Sequence, residues 1–121
     1  MKTKKVVVDT SYVMSWLLPD EKSPKSVKEQ MLAPELLVYE VINALKTSVR
    51  RKRITRVIAQ QLLHEFENWN IHYFKIDNES VLNMAITEEL SGYDASYLYL
   101  AKKMKCELLT WDKKLAEMAK D

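Results

Sequence analysis

A chain of 121 residues, 47% of them hydrophobic and 30% charged, has the size and composition of one globular domain spanning 1–121, which excludes a disordered or fibrous protein. At this length roughly two-thirds of the unfolded chain's surface is buried on folding, enough for a modest core. A formal net charge of +2 is too small to announce a nucleic-acid-binding protein by itself.

The chain opens on "MKTKKVVVDTSYV", where Val6, Val7 and Val8 read as a short buried strand. Its basic start resembles a secretory leader, but Asp9 breaks the apolar stretch and no small-residue cleavage site follows, so no leader is expected. No apolar run approaches the roughly 20 residues that span a bilayer, and the expected compartment is the cytoplasm. Directly after the strand come Asp9, Thr10 and Ser11, and then Val13, Trp16 and Leu17 recur at helical spacing until Pro19 stops them. A carboxylate and two hydroxyls in that place serve either as a helix cap or as part of a metal site.

Ser23 and Pro24 have the pattern of an N-cap and first helical residue, predicting a short helix through Val27 and Met31. Pro34 restarts the chain into the helix "PELLVYEVINALKTSV", with Leu37, Val41, Leu45 and Ser48 on one face and Glu40, Asn43 and Thr47 on a polar one. It runs into "KTSVRRKRITR", which holds six basic residues and no acidic one. Cations complement a helix C-terminus in any case, and Arg50, Arg51, Lys52 and Arg53 would also suit a phosphate backbone.

From about Thr55 a helix carries Ile58, Leu62, Phe66 and Trp69 as its apolar stripe, and Ile71 to Ile76, "IHYFKI", reads as a strand. Asp77 or Asn78 caps the next helix, with Val81, Met84 and Ala85, and Gly92, the only glycine, is its expected left-handed stop. Then "YDASYLYLAKKM" reads as helix, "CELLT" as strand and "DKKLAEMAK" as a last helix. The lone Cys106 excludes an intramolecular disulfide framework, suits a reducing compartment and reads as a spectator thiol.

Strands alternating with helices, without Asn-Gly or Asp-Gly hairpin signals, predict a parallel α/β sheet. Ligands of such sheets bind beyond the carboxyl ends of the strands. Asp9 follows the first strand and Asp112 the last, Asp94 opens the helix leading into the last strand, and Glu40 lies in the first turns of its helix. Four converging carboxylates raise one another's pKa unless a cation neutralises them, and hard oxygen ligands select magnesium or manganese. Each also has a plainer role. Asp94 and Asp112 fit helix caps, Asp9 fits a cap or a ligand, and Glu40 alone fits a surface glutamate. Asp77 follows a strand too, so that position alone does not choose a site. His64 and His72 have no Ser or Cys partner indicated and read as structural or solvated.

Taken in order, "VVVDTSYV", "PELLVYEVINAL" and "YDASYLYLAKKMKCELLTWDKKLA" resemble a PIN domain of the VapC-type toxin subfamily, over nearly the whole chain. The resemblance implies a three-layer α/β/α sandwich around a mostly parallel sheet, and an endoribonuclease dependent on Mg2+ or Mn2+. It assigns catalysis and metal binding to Asp9, Glu40, Asp94 and Asp112, and it leaves Asp77 out. Thr10, Ser11, Asn43 and Thr110 match the family's polar positions; Ser11, Asn43 and Thr110 are the groups expected to orient carboxylates or water. Arg50, Arg51, Lys52 and Arg53 are the candidate RNA-backbone contacts. The resemblance further implies an RNA substrate, a cognate antitoxin seated near the acids, and a homodimer; Val13, Trp16, Val27 and Met31 fit a dimer face and ordinary core equally well. Family members usually continue past the last helix into another short strand, whereas this sequence stops at "AEMAKD".

Three other readings compete. A non-catalytic PIN-fold module would bind RNA or protein without turnover. A signalling receiver wants adjacent acids after the first strand and a late strand-end lysine, where this chain has Val8 before Asp9 and Thr110. A phosphatase of the haloacid dehalogenase type wants a second Asp where Ser11 stands.

Overall fold

The computed structural model describes residues 4–18 and 26–120. Strand β1 (Lys5–Val8) buries three successive valines, as a strand covered on both faces does. It lies inside an all-parallel sheet with β2 (Gln30–Pro34), β3 (Ile71–Phe74) and β4 (Glu107–Leu109), in the order β3-β2-β1-β4. Val7 pairs with Leu32 on one side and Leu108 on the other, so the register stacks apolar residues across the centre.

Around the sheet pack α1 (Thr10–Leu17), α2 (Leu37–Arg50), α3 (Arg56–Glu67), α4 (Asn78–Glu88), α5 (Gly92–Met104) and α6 (Lys113–Ala119), making the expected α/β/α sandwich. Helix α5 packs against β1, β2 and β4 and buries Tyr97, Leu98, Leu100 and Ala101. Helix α2 buries Leu37, Val41 and Leu45, as its spacing predicts. Thr55 caps α3 through the Ile58 N–H, although Ile58 itself is exposed and Trp69 lies beyond the helix end.

Three expectations are overturned. Residues Val27 to Met31 do not form a helix; Met31 belongs to β2, whose Leu32 and Ala33 are fully buried between β1 and β3. The apolar pair four residues apart imitated a helix, while burial between two strands decided the outcome. Ser23, Pro24 and Pro19 lie outside the described residues. Gly92 does not end a helix either: Glu89 takes the left-handed conformation at φ 54°, and Gly92 begins α5 without a positive φ. Finally, Val13, offered for a dimer face, is fully buried and has no outer face to give, while the half-buried Trp16 packs edge-on against Tyr12 and Trp69. The apolar side chains left exposed are elsewhere, among them Leu82 and Ile86 on α4. Among the described residues the sheet has four strands, with β4 at one edge, and the further strand implied by the resemblance is not among them.

Candidate active site: a carboxylate cleft at the sheet edge

Parallel strands bring all their carboxyl ends to one edge, but not all to one place. Asp9 and Thr110 follow the neighbouring strands β1 and β4, and the Asp9 N–H donates to the Leu109 carbonyl at 3.2 Å, extending that ladder. Asp77 follows β3, two strands away and hence about 10 Å along the edge. Its carboxylate instead caps α4, accepting from the Ser80 N–H at 3.0 Å and hydroxyl at 2.6 Å.

Asp9 both caps α1 and lines the cleft. Its Oδ1 accepts from the Tyr12 N–H at 3.0 Å, which caps α1, and from the Ser11 hydroxyl at 2.7 Å. Burial pushes its carboxyl above the usual range; hydrogen bonds from Thr110, Ser11 and Tyr12 pull it down, and the Glu40 charge adds to the rise. Ser11 also accepts from the Trp111 N–H at 3.2 Å, and Thr110 accepts from the Asp112 N–H at 3.1 Å. Two hydroxyls thus tie the start of α1 to the turn between β4 and α6.

Asp112 caps α6 as expected, through the Leu115 N–H at 3.1 Å. Asp94 is not a cap. Ser91 takes that role, accepting from the Asp94 N–H at 3.0 Å, and the Asp94 carboxylate makes no hydrogen bond among the described residues. Burial and the charges of Asp112 and Asp9 raise the Asp94 carboxyl. The serine three residues before the acid was a readable capping signal.

Glu40 stands in the first turn of α2, and its Oε1 receives two hydroxyls, Tyr97 at 2.6 Å and Thr10 at 2.8 Å. Thr10 and Tyr97 therefore hold the place expected of Asn43, which is exposed and not among the residues lining the cleft. Tyr97 escaped sequence reasoning because it sits within the apolar run of α5. Only its spacing from Asp94, three residues on the same helix, hinted that it faces the same cleft.

Together Asp9, Glu40, Asp94 and Asp112, with Thr10, Ser11, Tyr97, Thr110 and Trp111, line one cleft of about 450 Å3. No lysine or arginine is among these lining residues. The described residues contain no group of three acids, histidines or cysteines already drawn together around an ion's position. Asp94 is half-buried with its carboxylate unbonded among the described residues, whereas the exposed Asp112 holds the α6 cap through Oδ1. The cluster Arg50, Arg51, Lys52 and Arg53 is exposed at the far end of α2, ten residues and about 15 Å along the axis from Glu40. His64 pairs with Glu67 on the surface and His72 stacks on Phe74, and neither reaches the cleft. Cys106 is half-buried and its thiol is raised by burial, away from this edge.

Residues 6–121 match the family model of the PIN domain. The chain is 31% identical to ribonuclease VapC3 of Pyrobaculum aerophilum, with 93% of each chain covered. It is 26% identical to ribonuclease VapC9 of Mycobacterium tuberculosis, over 93% of this chain and 89% of that one. A third relative, exonuclease VapC9 of Pyrobaculum aerophilum, is 30% identical over 77% of this chain and 70% of its own. The crystal structure of PAE2754 from Pyrobaculum aerophilum shares the fold with a TM-score of 0.79 at 24% identity, covering 95% of this chain and 84% of that one.

Proposed function

This chain belongs to the PIN domain family, and from that premise we propose that it is a VapC-type endoribonuclease, the toxin of a toxin–antitoxin pair, acting through the cleft at the end of β1. One observation carries the assignment to that cleft: four carboxylates line it and, among the described residues, no basic side chain does. Such a site repels phosphate unless a cation intervenes. The donor set fits magnesium or manganese, which prefer carboxylate oxygen and retain waters. Asp9, Glu40, Asp94 and Asp112 would hold the ion. When bound, it supplies Lewis-acid polarisation of the phosphoryl group and a more acidic attacking water.

The chain's own groups prepare that chemistry. Ser11, Thr110 and the Tyr12 N–H all donate to Asp9, favouring its ionised form against the burial that opposes it. Ser91 relieves Asp94 of capping, so both Asp94 oxygens are available to the cleft. No His, Ser or Cys nucleophile is needed.

The reading extends to one domain over 1–121, a cytoplasmic location, a cognate antitoxin and a homodimer; no described helix is long and apolar enough to cross a membrane. An RNA strand that reaches both the cleft and Arg50, Arg51, Lys52 and Arg53 would run along α2. Nothing in the cleft or the relatives favours the non-catalytic module.

The test is cleavage of a mixed RNA pool with magnesium, with manganese and with chelator, beside Asp9→Asn. Metal-dependent cleavage that the variant loses supports the assignment. Equal traces from both proteins under every condition would sink it.

A further inference from the structure

The hydroxyls of Thr10 and Tyr97 meet at a single oxygen of Glu40, and a proton count shows what they do there. Tyr97 lies 2.6 Å and Thr10 2.8 Å from Glu40 Oε1, and the two hydroxyl oxygens are 3.1 Å from each other. Each hydroxyl has one hydrogen to give. The two short contacts to the carboxylate account for both hydrogens and leave none for the longer contact between the hydroxyls. Oε1 is thus saturated by two donors, while Oε2 accepts no hydrogen bond among the described residues.

We propose that Tyr97 is a positioning residue which, with Thr10, pins Glu40 by Oε1 and so reserves Oε2 for the cation in the cleft. The proposal rests on the metal-dependent reading above. Tyr97 is only 2% exposed, so its ring is fixed by the core, and its hydroxyl is the one polar atom it brings to the cleft. It sits on α5, Thr10 on α1 and Glu40 on α2, so three separate helices agree on one carboxylate orientation. A glutamate side chain has three rotatable bonds, and without the two donors its carboxylate would swing. Donors behind a metal-holding carboxylate are worth about 10- to 100-fold in metal affinity or activity.

The experiment measures Mn2+ binding to the RNA-free protein by calorimetry, and separately the Mn2+ dependence of cleavage, for wild type, Tyr97→Phe and Thr10→Val. Tyr99→Phe, on the same helix but outside the cleft, serves as control. Tyr97→Phe keeps the ring and removes only the hydroxyl. Mn2+ affinity is expected to fall about 10-fold in Tyr97→Phe, and cleavage to recover largely at saturating Mn2+, with Tyr99→Phe matching wild type. Should Tyr97→Phe fail to fold, the same weakening in Thr10→Val carries the proposal. Unchanged Mn2+ affinity in a folded variant that merely melts earlier would overturn it and leave Tyr97 a packing residue. Wild-type protein that cleaves RNA without binding Mn2+ would overturn it together with the metal reading.

Discussion

At the scale of single residues, Asp9 carries two duties that oppose each other. As the α1 cap it favours folding, and as a buried carboxylate it resists ionisation. The sign is definite. A carboxyl raised above its ordinary 3.8 lends stability fully below that value, and the contribution is lost as pH rises through the raised folded-state value. Asp9→Asn keeps a carbonyl to cap α1 but cannot ionise. In metal-free buffer the variant should therefore melt above wild type at pH 7, with the gap closing as pH falls toward 4. Calorimetric melts across that range measure it, and Mn2+ should raise the wild-type midpoint but not the variant's. Cleavage should drop about 100- to 1,000-fold, the several kcal/mol that a misplaced Lewis acid forfeits. That the four acids line one cleft was only half legible: each stands beside a strand end or at a helix start, but so does Asp77, and the resemblance was what set Asp77 aside. The Tyr97 and Thr10 contact to Glu40 was not legible, because it joins residues 57 and 30 positions apart and depends on how α1, α2 and α5 pack.

Among the elements, α5 shows best how local signals mislead and then correct one another. Its only glycine looked like a helix stop, since glycine adopts the left-handed conformation without steric cost. Yet Glu89 takes that conformation three residues earlier, and Ser91 opens the next helix at once. The two readings predict opposite signs. Were Gly92 a left-handed cap, Gly92→Ala would cost about 1 kcal/mol. As the first residue of α5, with nothing within 4 Å of an added Cβ, the alanine should instead stabilise by about 0.5 kcal/mol. Glu89→Gly, which relieves the left-handed side chain, should add about 1 kcal/mol. Denaturant titrations of both variants read these shifts directly. Strand β2 eluded sequence reasoning for a related cause: in five residues, alternation and helical spacing are too short to separate, and only β1 and β3 on either side select the strand.

Across the whole molecule, charge is sorted along α2: acids gather at its N-terminal end and four cations at its C-terminal end, about 15 Å apart. Favourable pairing with the helix dipole explains the four cations without any ligand, so their part in RNA binding needs a measurement that dipole stabilisation does not move. Salt dependence is that measurement. A single-stranded ligand loses about 0.7 of slope in log K against log salt for each phosphate contact removed. If Arg50, Arg51, Lys52 and Arg53 each meet a phosphate, changing all four to Gln should flatten the slope by about 2.8. The binding is read by fluorescence anisotropy with Asp9→Asn protein, so that the RNA survives the titration. An unchanged slope with a lowered melting point would confine the cluster to closing α2. The same RNA, circularised, then asks how the strand enters. A cleft of about 450 Å3 open at the sheet edge admits a strand from the side, so a circle without ends should be cut as readily as its linear form. Degradation of the linear form alone would instead align this chain with its relative named as an exonuclease, and would mean that the RNA is threaded past Asp9 from one terminus.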